Sequence, residues 1–196
     1  MNPYTQGGWS QQTSGTAPSV FGALPSLPMS ATVPRSMQPD SVTFQFTQFN
    51  STVLNCQVVG PQSRVAYRIV TEPTTPSCTI FKDVESRSIA MVQWQPNANL
   101  EIRGVTPRQR IRDWLRLSPD SSQRTMEVRG VHYAWAPMDG FICLYRTQTS
   151  APKVLARVAR APAMVLLELT QEALQMGLLE PCIVATVLFT CGHNVD

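Results

Sequence analysis

Residues 169–196 read LTQEALQMGLLEPCIVATVLFTCGHNVD, and this stretch decides the fold. Thr170 with Gln171 and Glu172 suits the start of one helical turn, which Gly177 loosens. Pro181 suits the start of a second helix and Gly192 its stop. From Cys182 to Cys191 this second helix is apolar on nearly every side. A helix apolar all round is either wholly buried or in a membrane. The apolar run Leu178 to Cys191 is fourteen residues and includes Glu180. A bilayer span takes about 20 residues, and no basic flank follows. The segment is therefore expected inside the protein, with no transmembrane span.

Upstream of it the pattern has a period of two. Val42, Phe44 and Phe46 alternate with Thr43, Gln45 and Thr47. Leu54, Cys56 and Val58 follow, then Val65, Tyr67 and Ile69, split by Gly60-Pro61. Thr79 to Val84 and Ser88 to Gln95 read as a hairpin around Glu85-Ser86. Leu100 with Ile102 forms a further short run. Met126 to Tyr133, Phe141 to Thr147, Val154 to Ala159 and Met164 to Leu169 continue the series. Such runs, punctuated by turn residues, specify an antiparallel sheet. No alternation of strands and helices suggests a parallel one. A closed antiparallel β-barrel filled by the C-terminal helix satisfies both patterns.

One internal segment breaks the alternation. Over Thr106 to Leu117, Thr106 suits a cap and Pro107 the first helical position. Ile111, Trp114 and Leu115 then share a face at i, i+3, i+4. A short helix is expected there.

Residues 1–40 are rich in Pro, Ser, Thr, Gln and Gly and carry only Arg35 and Asp40. They are expected to form a disordered tail, with Tyr4, Trp9 and Phe21 as its aromatic points. Residues 41–196 form the domain. The 196 residues are 43% hydrophobic and only 15% charged, with a formal charge of +3. That balance excludes a polybasic nucleic-acid arm and a polytopic membrane protein. The start of the chain has no secretory pattern. Five cysteines, Cys56, Cys78, Cys143, Cys182 and Cys191, form no CxxC pair. They read as buried free thiols in a reducing, intracellular and cytoplasmic setting.

Several strings then occur in order: Ala66-Tyr67-Arg68-Ile69, Thr79-Ile80-Phe81-Lys82, Ile89-Ala90-Met91-Val92-Gln93-Trp94 and Asp113-Trp114-Leu115. Gly130-Val131-His132-Tyr133-Ala134-Trp135 and Val158-Ala159 complete the set. Over residues 41 to 191 the chain resembles a domain-of-unknown-function family abundant in mushroom-forming fungi. That family resembles in turn the tubby-like, LURP-one-related and scramblase fold. The resemblance implies a closed barrel around a hydrophobic helix, and it transfers no residue role. Tubby domains bind phosphoinositides through Lys and Arg, which makes lipid headgroups an expected ligand class by analogy.

The sequence carries no GxSxG, P-loop, GxGxxG or HExxH motif, and no cysteine spacing suited to zinc. His132 and Cys143 could meet only across a hairpin, and alternation turns His132 to solvent. Trp94, Trp114, Tyr133 and Trp135 read as core packing. No cofactor and no enzymatic role are expected. The chemical anomaly is arginine. Arg103, Arg108, Arg110, Arg112 and Arg116 lie within fourteen residues, opposed there only by Asp113. On a helix, Arg108, Arg112 and Arg116 form one stripe. Guanidinium matches phosphate and carboxylate in two-pronged fashion. The patch is expected to bind an anionic phospholipid headgroup or a phosphorylated protein partner, and nucleic acid is not expected. The alternatives are a scramblase-like membrane protein with Ile183 to Phe189 exposed to lipid, and a small-molecule enzyme with a site at the barrel mouth.

Overall fold

The computed structural model describes residues 40–50, 52–147, 153–161 and 163–196. The tail expected over residues 1–40, with Tyr4, Trp9 and Phe21, lies outside these apart from Asp40. Thirteen strands form one antiparallel sheet. They are β1 (Val42–Thr47), β2 (Cys56–Val59), β3 (Val65–Thr71), β4 (Cys78–Asp83), β5 (Ser88–Gln93), β6 (Asn99–Ile102) and β7 (Thr106–Arg110). Then come β8 (Arg116–Leu117), β9 (Arg124–Val128), β10 (Val131–Met138), β11 (Phe141–Arg146), β12 (Val154–Ala161) and β13 (Met164–Leu169). Helix α1 (Ile111–Trp114) joins β7 to β8, and α2 (Gln171–Gln175) and α3 (Leu179–Thr190) follow β13.

The spatial order is β7-β6-β5-β4-β3-β2-β1-β13-β12-β11-β10-β9-β8. Its two ends, β7 and β8, are consecutive in sequence. Laid flat, such a sheet would span roughly 58 Å at about 4.8 Å per strand. The chain from Arg110 to Arg116 reaches at most about 20 Å. The sheet is therefore curled until its edges face each other. It does not close into a barrel, because β7 and β8 share no ladder. That corrects the closed barrel expected from the sequence. The physical reasons are local. Pro107 in β7 has no N–H to donate, β8 has only two residues, and α1 occupies the joint.

The period-two runs set the register. Val165, Phe46, Val58 and Tyr67 pair across four strands, and all are buried. Trp135, Leu144, Ala156 and Leu169 form a second buried row. Helix α3 lies against these rows as part of a single core, with every residue from Pro181 to Phe189 buried. Phe189 meets Trp135 edge to face, 5.4 Å between centroids. Inside this apolar helix, Thr186 Oγ1 donates to Cys182 O at 2.7 Å, so its buried hydroxyl is satisfied. Thr170 caps α2 by accepting from the Ala173 N–H at 3.1 Å. Gly177 ends α2 at φ +70°, with Leu178 N donating to Ala173 O at 3.1 Å.

Two local expectations change. The helix expected over Thr106 to Leu117 is β7 followed by the single turn α1. Thr106 to Arg110 pairs with β6 instead, and only Ile111, Trp114 and Leu115 turn helically into the core. The run Met126 to Tyr133 is two strands, folded at Arg129-Gly130 with φ +51° and +77°.

Beyond α3 the chain folds back over the end of the curled sheet. His193 stacks on Trp94 at 4.5 Å, and Val195 is buried. Trp94 Nε1 donates to Thr79 Oγ1 at 2.9 Å. Asp196 reaches the buried side chain of Arg124.

Candidate functional site

The unpaired edges leave a seam, and the seam holds a cleft of about 440 Å³. Val105, Pro107 and Gln109 line one wall, from β7 and the turn before it. Met126, Glu127 and His132 line the other, from β9 and β10. Trp114, Arg116 and Arg129 complete it, with Asp113 beside them.

Trp114 is there because α1 needs an apolar face. Ile111 and Leu115 take the core, and the indole packs beside them, 3% exposed. Its Nε1 is buried without a hydrogen-bond partner among the described residues. A buried unmet donor costs about 1–3 kcal/mol, so this group stands out in a residue that lines the cleft. Trp94 and Trp135, by contrast, donate to Thr79 and to the Met126 sulfur.

Two guanidiniums line the same cleft. Arg116 Nε donates to the Asp113 carbonyl at 3.0 Å, which fixes its direction. Arg129 is held by the tight β9–β10 turn and lies against Gly177, whose added Cβ would come within 2.9 Å of Arg129 Nη1. Neither forms an ion pair with a carboxylate among the described residues. His132 Nδ1 stands 3.9 Å from Glu127 Oε2, and both side chains are exposed.

The five arginines singled out in the sequence do not converge. Arg103, after β6, lines a separate shallow hollow with Met91 and Glu101. Arg108 donates to Gln93 Oε1. Arg110 and Arg112 line a small crevice beside Asp196. Of the five, Arg116 alone lines the seam cleft. The helical stripe of Arg108, Arg112 and Arg116 is absent, because these residues sit on β7, α1 and β8 in turn.

Two arginines, one lining the cleft and one buried in the fold, carry no expectation from the sequence. Arg129 hid inside what looked like one continuous strand. Its signal was the Arg-Gly pair, which suits a two-residue hairpin turn. Arg124 keeps phase with Met126 and Val128, an inward-facing set, and is 1% exposed.

Elsewhere, nucleophile and base stay apart. Cys143 is buried opposite Ala136, not His132. Burial pushes the Cys143 thiol up to about 11 and the Cys56 thiol to about 12. Cys182, inside α3, is pushed up further by burial and by nearby Glu180. Thiols so protonated are poor nucleophiles at neutral pH. Among the described residues no three His, Cys, Asp or Glu side chains gather as a metal site.

Comparison with known proteins adds a family and little chemistry. No curated protein matches the chain. A solved structure of an Arabidopsis thaliana protein is similar at 10% identity, over 75% of this chain and 92% of that one, with a TM-score of 0.41. A likeness that loose carries no argument. The family model of unknown function DUF6593 matches residues 50–191, which run from the bridge before β2 to the end of α3. On that match, the chain belongs to the family of unknown function DUF6593.

Proposed function

We propose that this chain is a non-catalytic binding domain whose ligand enters the seam between β7 and β9. The ligand presents a phosphate-type oxyanion, and an anionic phospholipid headgroup is its expected form. One observation carries the reading. Trp114, whose buried Nε1 has no hydrogen-bond partner among the described residues, lines a cleft together with two guanidiniums, Arg116 and Arg129, that no carboxylate pairs among the described residues. Guanidinium and indole N–H are both donors, and an oxyanion satisfies both. The sequence resemblance to a fungal family with tubby-like kinship points the same way, by analogy only.

The scramblase-like alternative requires Ile183 to Phe189 to face lipid. These residues are buried in the core, and no described helix is long and apolar enough to cross a membrane. The enzymatic alternative has no support from the His132 and Cys143 positions.

Vesicle flotation tests the proposal. Vesicles containing anionic phospholipid should carry the chain upward, and neutral phosphatidylcholine vesicles should not. Millimolar glycerophosphate should compete if the phosphate itself is recognised. Equal recovery with both vesicle types would refute the reading.

A further inference from the structure

The charges of the seam do not suit a bare anion. Arg116 and Arg129 are matched in number by Asp113 and Glu127 on the same cleft. The lining is formally neutral with His132 uncharged, so a simple polyanion gains no net field from it. Glu127 lies 3.9 Å from His132, an ion pair only when the imidazole is protonated. Asp113 has no side-chain partner among the described residues. One cleft is therefore lined by Trp114 with its buried unpartnered N–H, two guanidiniums without a carboxylate partner and one carboxylate without a side-chain partner, all among the described residues.

We infer that the seam selects a ligand that carries a phosphate-type oxyanion and an ammonium group together. This deepens the binding reading above and rests on it. The oxyanion accepts from Trp114 Nε1 and pairs with Arg116 and Arg129. The ammonium pairs with Asp113. A ligand with only the anion leaves Asp113 near a like charge, which disfavours it. The same chemistry occurs in a free phosphoamine and in an amine-bearing lipid headgroup.

The test uses the full chain labelled with ¹⁵N. Trp114→Phe identifies the Trp114 indole cross-peak among the four tryptophans. The wild type is titrated with phosphoethanolamine and with ethyl phosphate, which differ by the ammonium. The Trp114 peak should move with both, at a concentration at least tenfold lower for phosphoethanolamine. Asp113→Asn, an exposed isosteric change, should abolish that preference, weakening the phosphoethanolamine response and strengthening the ethyl phosphate one. Equal response to the two ligands in the wild type overturns the inference, and so does a peak that moves with neither. Flotation with phosphatidylserine against phosphatidylglycerol vesicles separates the sources. Preference for the serine lipid identifies a headgroup. A phosphoethanolamine response without that preference identifies a free ligand, and both uphold the selection. If the Trp114 peak moves equally with both ligands, this inference fails and the binding reading stands. If it moves with neither, both fail.

Discussion

Arg124 grips Asp196 with two parallel bonds, Nη1 to Oδ1 at 2.9 Å and Nη2 to Oδ2 at 2.7 Å. Nη1 also donates to the carbonyl of Leu115, which follows α1. The guanidinium is buried while the carboxylate is half exposed. Removing the carboxylate takes two charge-assisted hydrogen bonds from a buried guanidinium. Asp196→Ala should therefore cost about 1–3 kcal/mol. The double variant Arg124→Met/Asp196→Ala should cost less than that single one, because it removes the buried charge as well. Urea unfolding midpoints check both, and an unchanged midpoint for Asp196→Ala would contradict the account.

The buried helix supports a second prediction. Phe189 is fully buried against Trp135. Phe189→Ala should cost about 3–5 kcal/mol. Val84→Ala, at a site 67% exposed, should stay within about 0.5 kcal/mol. Denaturant curves on the two variants should separate cleanly.

Alkaline pH should destabilise the fold through its thiols. The folded values of Cys56, at about 12, and Cys143, at about 11, lie above the ordinary value of 9.0. Between those limits the unfolded chain loses thiol protons that the folded chain keeps. Stability is then independent of these groups below about pH 9 and falls above it. Each fully shifted thiol contributes at most about 1.4 kcal/mol per pH unit. Cys56→Ala should flatten the decline between pH 9 and 11, read as unfolding midpoint against pH. A slope identical to wild type would remove burial of Cys56 as a cause.

Gly177 couples the α2 end to the seam. Its φ of +70° disfavours any side chain, and a Cβ there would press on Arg129. Gly177→Ala should cost about 1–2 kcal/mol from backbone strain. It should also displace the Arg129 guanidinium and weaken flotation with anionic vesicles. Loss of stability with unaltered flotation would show that Arg129 does not need this contact.

Much of the sheet was legible because alternation is a local signal. Phe44, Phe46, Val58 and Ile69 announced their inward faces, and the apolar α3 announced its burial. Closure was not legible. Whether two edges bond depends on Pro107, on a two-residue β8 and on the turn at Ile111 to Trp114, all of which act across the sheet. The arginine cluster misled for the same reason. Spacing along a helix implied one stripe, but pairing of Thr106 to Arg110 with β6 turned the stripe into a strand and a turn. Arg129, thirteen residues beyond Arg116 in sequence, reached the cleft only through a hairpin. The orphan indole of Trp114 has no sequence signature, since its partners are defined only by the packed structure.

On the proposed function, binding resides in the seam and not in a diffuse basic patch. The most direct measurement compares two double variants in anionic-vesicle flotation. Arg116→Ala/Arg129→Ala removes the seam guanidiniums, and Arg103→Ala/Arg108→Ala removes the same charge elsewhere. The account predicts that the first loses flotation and the second retains it. Equal loss in both, or retention by the first, would contradict it.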